Sequence, residues 1–72
     1  MASSVTIEIA VNGEARAVPQ GLNVLGLLEF LALDPSRVAV ELDLEILKKD
    51  LWPSTLLHPG ARLEIVQFVG GG

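Results

Sequence analysis

The stretch Val5-Thr6-Ile7-Glu8-Ile9-Ala10-Val11-Asn12-Gly13-Glu14-Ala15-Arg16-Ala17-Val18 decides the fold. Val5, Ile7, Ile9 and Val11 alternate with Thr6, Glu8 and Ala10, which is the pattern of a strand buried on one face. Asn12-Gly13 then supplies the two positive-φ residues of a type I′ turn, the strongest short hairpin signal. A second short strand over Glu14–Val18 completes an antiparallel pair. Pro19, Gln20 and Gly21 break it.

From this hairpin the rest of the chain can be placed. Leu22–Leu33 reads as a helix with Asn23 as N-cap. Val24, Leu25, Leu27, Leu28, Leu31 and Ala32 share one broad face at the helical period. Gly26 costs that helix about 1 kcal/mol. Asp34-Pro35 is expected to end it, because the residue before proline disfavours the α region. Phe30 falls off the apolar face and is placed at the edge of the core, with a partner contact as the alternative. Arg37–Leu42 reads as a third strand, with Val38, Val40 and Leu42 inward and Ala39 and Glu41 outward. Asp43–Glu45 forms a turn. Ile46–Lys48 gives a short edge strand, where Lys48 and Lys49 discourage unwanted pairing. A single turn is expected near Ser54–Leu57, with Trp52 as core cover. His58-Pro59-Gly60 is turn chemistry, and Arg62–Phe68 is the last strand.

A hairpin, one long helix and a return to the sheet describe an α+β roll. If the first and last strands are parallel neighbours, the helix supplies the crossover between them. The expected architecture is a β-grasp, ubiquitin-like roll. It has a mixed four- to five-stranded sheet and one main helix packed on one face. Residues 1–69 form the single domain and residues 70–72 a glycine tail.

Composition narrows the function. The net charge of −4 with five basic residues argues against nucleic acid, which needs a basic footprint. No apolar run nears the ~20 residues of a membrane-spanning helix. The start Met1-Ala2-Ser3-Ser4 has no signal-peptide character, so a cytoplasmic location is expected. With no cysteine and one histidine, the chain has no means to build a zinc site and no metal is expected. His58 reads as a solvated turn residue. Asp43 and Glu45 lie in a turn with no pocket, so no catalytic residue is assigned. The chain is expected to bind no cofactor and not to be an enzyme.

The sequence ends Leu63-Glu64-Ile65-Val66-Gln67-Phe68-Val69-Gly70-Gly71-Gly72. Three glycines after an apolar strand add nothing to a core. They make a thin leash that reaches roughly 10 Å when extended. Its chemical handle is the α-carboxylate of Gly72.

These residues resemble a known family, the thiamine-biosynthesis sulfur carriers of the ThiS type. The resemblance runs from about Thr6 to Gly72. It is carried by Val11-Asn12-Gly13-Glu14, Val38-Ala39-Val40-Glu41-Leu42, Trp52 and the run Ile65–Gly72. The first four residues are longer than the family usually shows. Asp43-Leu44-Glu45 also stands where the family often has an Asn-containing turn. The resemblance implies a carrier. A ubiquitin-activator-like enzyme, using ATP and Mg²⁺, adenylates Gly72. A sulfur donor of the cysteine desulfurase type then makes the thiocarboxylate, and thiazole synthase takes the sulfur. The alternatives are the small subunit of molybdopterin synthase, with the same fold and Gly-Gly end, and a ubiquitin-like interaction module whose tail is irrelevant.

A carrier needs a docking surface. Along the last strand Leu63 and Ile65 point inward, whereas Val66 and Phe68 are expected on the outer face beside Gly70 and Gly71. With Ala10 they would form an apolar patch, rimmed by Glu41 and Glu64 together with Glu8 and Asp43. A β-bulge turning Phe68 inward is the competing reading.

Overall fold

A computed structural model describes residues 5–69. Strands β1 (Thr6–Val11) and β2 (Glu14–Pro19) form the expected hairpin, with φ of 51° at Asn12 and 83° at Gly13. Helix α1 (Val24–Phe30) follows. After it come a 3₁₀ turn (Pro35–Arg37), β3 (Val38–Leu42), β4 (Glu45–Leu47), a 3₁₀ helix (Lys49–Ser54) and β5 (Arg62–Gln67). The sheet order is β2-β1-β5-β3-β4. β1 and β5 are parallel neighbours at its centre, and the other pairings are antiparallel. This is the mixed five-stranded β-grasp sheet with one main helix across one face. Ile9, Val18, Val40 and Leu63 of the sheet pack with Val24, Leu27 and Leu28 of α1 and with Trp52. No helix among the described residues is long and apolar enough to cross a membrane.

The helix is capped at Asn23 as expected, starts at Val24 and not Leu22, and ends early. The Asn23 side chain accepts from the Gly26 N–H at 2.6 Å. A Cβ on Gly26 would approach that same oxygen to 3.2 Å, so the missing side chain leaves room for the cap. At the other end Leu33 N–H donates to Leu28 C=O and Ala32 N–H to Glu29 C=O, with Ala32 at φ 60°. That is a Schellman termination with alanine in the usual glycine position. The chain therefore leaves the helix before Asp34-Pro35, not at it. Asp34 instead caps the next turn through Ser36.

The segment after β4 also differs from expectation. The helical turn is at Lys49–Ser54, not Ser54–Leu57. The Trp52 indole N–H donates to Leu47 C=O at 3.0 Å, which fixes the tight turn against the end of β4. β4 itself ends at Leu47. Lys48 and Lys49 thus stand beyond the edge strand, and the Lys49 ammonium lies 5.6 Å from the Trp52 ring centroid. Trp52 is buried, as core cover.

Asn12 does more than turn the chain. Its backbone N–H donates to Leu63 C=O, and its side chain brackets Ile65. Asn12 Oδ1 accepts from Ile65 N–H at 2.7 Å, and Nδ2 donates to Ile65 C=O at 3.1 Å. The amide group replaces the next residue of β1 and extends the central parallel ladder after the backbone has turned away.

Candidate functional site

The sheet face opposite the helix carries the candidate surface. In β5, Leu63 and Ile65 are buried while Glu64 and Val66 point outward. Val66 is 59% exposed and Phe68 57%. The β3–β5 register runs unbroken from Leu42↔Leu63 to Val38↔Gln67, and Phe68 N–H still donates to Arg37 C=O at 2.7 Å. No bulge intervenes in this pairing, and Phe68 stays outside the core. Glu64, Glu41 and Ile46 form one cross-strand row, with Val66 and Ala39 in the next. Ala39, Glu41, Leu44, Ile46, Glu64 and Val66 line a shallow groove of about 580 Å³.

The structure thus gathers Val66, Glu41 and Glu64 but leaves Ala10 and Phe68 off the groove. Ala10 pairs with Arg62, at the opposite end of β5 from Phe68. The apolar partners of Val66 lie instead on the β3–β4 hairpin, at Leu44 and Ile46. Sequence reading assigned these two to a turn and an edge strand. Alternation against buried-side Val40 and its partner Leu47 is the signal that places Ile46 outward. A leucine between Asp43 and Glu45 in a two-residue hairpin loop is the signal for Leu44. Phe30, on the helix side, is also exposed. It lines a separate hollow with Asn12, Arg16, Leu33 and Gln67.

The hairpin tip has unusual backbone geometry. Asp43 and Leu44 have φ of 52° and 74°, the signs of a type I′ turn that favours Asn-Gly. A left-handed leucine costs roughly 1–2 kcal/mol, and this one is 74% exposed. Asp43 holds the tip in place. Its N–H donates to Arg62 C=O at 2.7 Å, its Oδ1 accepts from Arg62 N–H at 3.0 Å, and its Oδ2 lies 3.0 Å from His58 Nε2. His58 Nδ1 lies 2.9 Å from Pro59 C=O, so the imidazolium can donate at both nitrogens. The Asp43 hydrogen bond, with the Pro59 carbonyl second, raises the His58 pKa above its ordinary value. His58, followed by the Arg62 N–H, lowers that of Asp43. Both side chains are solvent-exposed, and the contacts of Asp43 to His58 and Arg62 brace the turn.

The chemical candidate Gly72, with Gly70 and Gly71, lies outside the described residues. The sequence itself reaches them in a comparison. A family model described as the ThiS family matches residues 6–72. The chain belongs to the ThiS family. A crystal structure of the thiamine biosynthesis protein ThiS from Geobacter metallireducens is similar at TM-score 0.77 and 34% identity, covering 92% of this chain and 100% of that one. A thiazole synthase of Paramagnetospirillum magneticum is 39% identical over 66 residues. Those residues are 92% of this chain but 20% of that protein, so the chain spans about a fifth of its length. A protein named ycf40 from Pyropia yezoensis is 38% identical, with 92% of this chain and 93% of that one covered.

Proposed function

We propose that the protein is a sulfur carrier of thiazole formation in thiamine biosynthesis, acting through the carboxylate of Gly72. The observation that carries this reading is the family match that runs through Gly72. The names of the similar proteins, a thiamine biosynthesis protein and a thiazole synthase, favour the thiamine route over the pterin one.

The chemistry follows from the electrophile. A carboxylate resists nucleophilic attack because its negative charge repels the nucleophile and oxide is a poor leaving group. A partner enzyme related to the ubiquitin activators joins the Gly72 carboxylate to the α-phosphate of ATP and releases pyrophosphate. Mg²⁺ and ATP belong to that enzyme. A persulfide sulfur, originating from a cysteine desulfurase, attacks the acyl carbon. A C–S bond forms and AMP leaves. A thiol then takes the donor's sulfur as a disulfide and frees the thiocarboxylate, which thiazole synthase consumes. Glycine hinders neither attack. The tethered sulfur stays at high effective concentration wherever the domain docks. In this scheme the protein is a co-substrate, and its own side chains recognise partners. The groove and its glutamates are suited to that role, as is the exposed Phe68, two residues after Val66 in the sequence.

The test is adenylation by the activating enzyme. Deleting Gly72 should abolish the AMP adduct. Gly71→Val should reduce it severely with the melting temperature unchanged, because a β-branched side chain restricts the leash. Protein from its native host should contain a population heavier by the sulfur-for-oxygen difference. Normal adduct formation by the Gly72 deletion would sink the carrier reading.

A further inference from the structure

We propose that the β3–β4 hairpin tip is a recognition element, with Leu44 as its apolar anchor and Glu41 and Glu64 as the seat for a lysine or arginine of the partner. This rests on the carrier reading, in which the domain must dock on the enzymes that load and unload it. The occupant is a protein surface that places one basic side chain beside one apolar side chain.

Two independent features point there. The first is Leu44. The same chain closes its other hairpin with Asn12-Gly13, residues at ease with positive φ. At Asp43-Leu44 it holds a leucine in that conformation with the side chain in solvent. Folding buries little of this side chain, which is 74% exposed. Strained residues of this kind persist where the surroundings over-determine them, and they cluster at functional positions. Here the three Asp43 contacts to Arg62 and His58 supply the constraint.

The second feature is charge. Glu41 and Glu64 stand directly opposite one another across β3 and β5. Like charges in that position destabilise a sheet. Among the described residues, the ion pairs are Arg16–Glu14, Arg37–Asp34 and His58–Asp43, and none reaches Glu41 or Glu64. A partner cation over the pair would relieve the repulsion. Ala39, Ile46 and Val66 beside it would bury an apolar side chain against Leu44. A second copy of this chain is disfavoured as the occupant, because pairing this face with itself would bring the same carboxylates together.

The experiment uses the full chain and two purified probes, thiazole synthase and the adenylating enzyme. It compares wild type, Leu44→Gly and the double variant E41Q/E64Q. Leu44→Gly should melt at or above the wild-type temperature yet bind at least one enzyme about tenfold more weakly, as loss of an anchor does. E41Q/E64Q should also melt no lower. It should bind about tenfold more weakly at low salt, and its affinity should depend less on ionic strength. Wild-type affinity of either variant for both enzymes overturns the proposal. So does failure of the wild type to bind either enzyme, or sedimentation showing that this face closes a homodimer. Wild-type protein that acquires the thiocarboxylate while Leu44→Gly binds normally refutes this inference and leaves the carrier reading intact. Wild-type protein that never acquires sulfur refutes the carrier reading.

Discussion

Replacing Asn12 by glycine isolates the side-chain bracket that ties the first hairpin to the last strand. Glycine accepts the φ of 51° at this position, so the turn survives. What is lost is the pair of hydrogen bonds to Ile65, at 2.7 and 3.1 Å. Each is worth roughly 1 kcal/mol net, so the variant should lose about 2 kcal/mol. A domain of this length has a total stability of roughly 4–11 kcal/mol. The loss is thus a large share, and it should lower the melting temperature by about 8–16 °C. Asn12→Ala should lose about 1 kcal/mol more, because alanine is strained at positive φ. Urea unfolding of the three proteins gives both differences. An Asn12→Gly stability within about 0.5 kcal/mol of wild type, beside a clearly destabilised Asn12→Ala, would mean that only the backbone angle matters. The bracket would then contribute nothing.

Phe68→Ala should weaken binding to the activating enzyme or thiazole synthase by roughly 2 kcal/mol, as an aromatic anchor would, and barely move the melting curve. Ile65→Ala, which truncates a buried side chain, should instead lose about 2–5 kcal/mol of stability. If Phe68→Ala is the variant that unfolds the domain, the exposed aromatic reading is wrong. The His58–Asp43 pair predicts a pH effect. The folded pKa of His58 is raised above 6.5, so its contribution is full below 6.5 and is lost as pH rises through that raised value. Asp43 is lowered from 3.8, so its contribution is present above 3.8 and is lost as pH falls through the depressed value. His58→Gln should therefore flatten the alkaline limb of the melting-temperature profile, and an unchanged limb would remove the brace from the account.

What could be read from the sequence followed from repeating patterns. Alternation from Ile7 to Val11 and from Val38 to Leu42 set the faces of two strands, whereas Val5 lies before β1 and is exposed, and Asn12-Gly13 set the register of the first hairpin. Asn23 set the start of the helix. The helix end was misplaced because its signal is conformational. Ala32 adopts a left-handed angle that composition does not announce, and Asp34-Pro35 offered a more conventional stop. The short helix at Lys49–Ser54 was shifted for a related reason. It is set by the Trp52 indole reaching back to Leu47 and not by any periodicity.

The same distinction explains the candidate surface. Val66, Glu41 and Glu64 were legible because each strand's alternation says which residues point away from the core. Their neighbours depended on strand order, which alternation does not supply. Ala10 shares their face but lies beside Arg62, far from Phe68, because β1 and β5 run parallel and meet only where β5 begins. The other side of β5 is occupied by β3, and beyond it β4, and this brings Leu44 and Ile46 to Val66. Two acidic residues placed apart in the sequence thereby become direct cross-strand neighbours. Neither glutamate is unusual alone. Their opposition, beside a leucine held at positive φ, is a property of the folded sheet. It is also the feature that a basic partner surface can recognise and an unfolded chain cannot display.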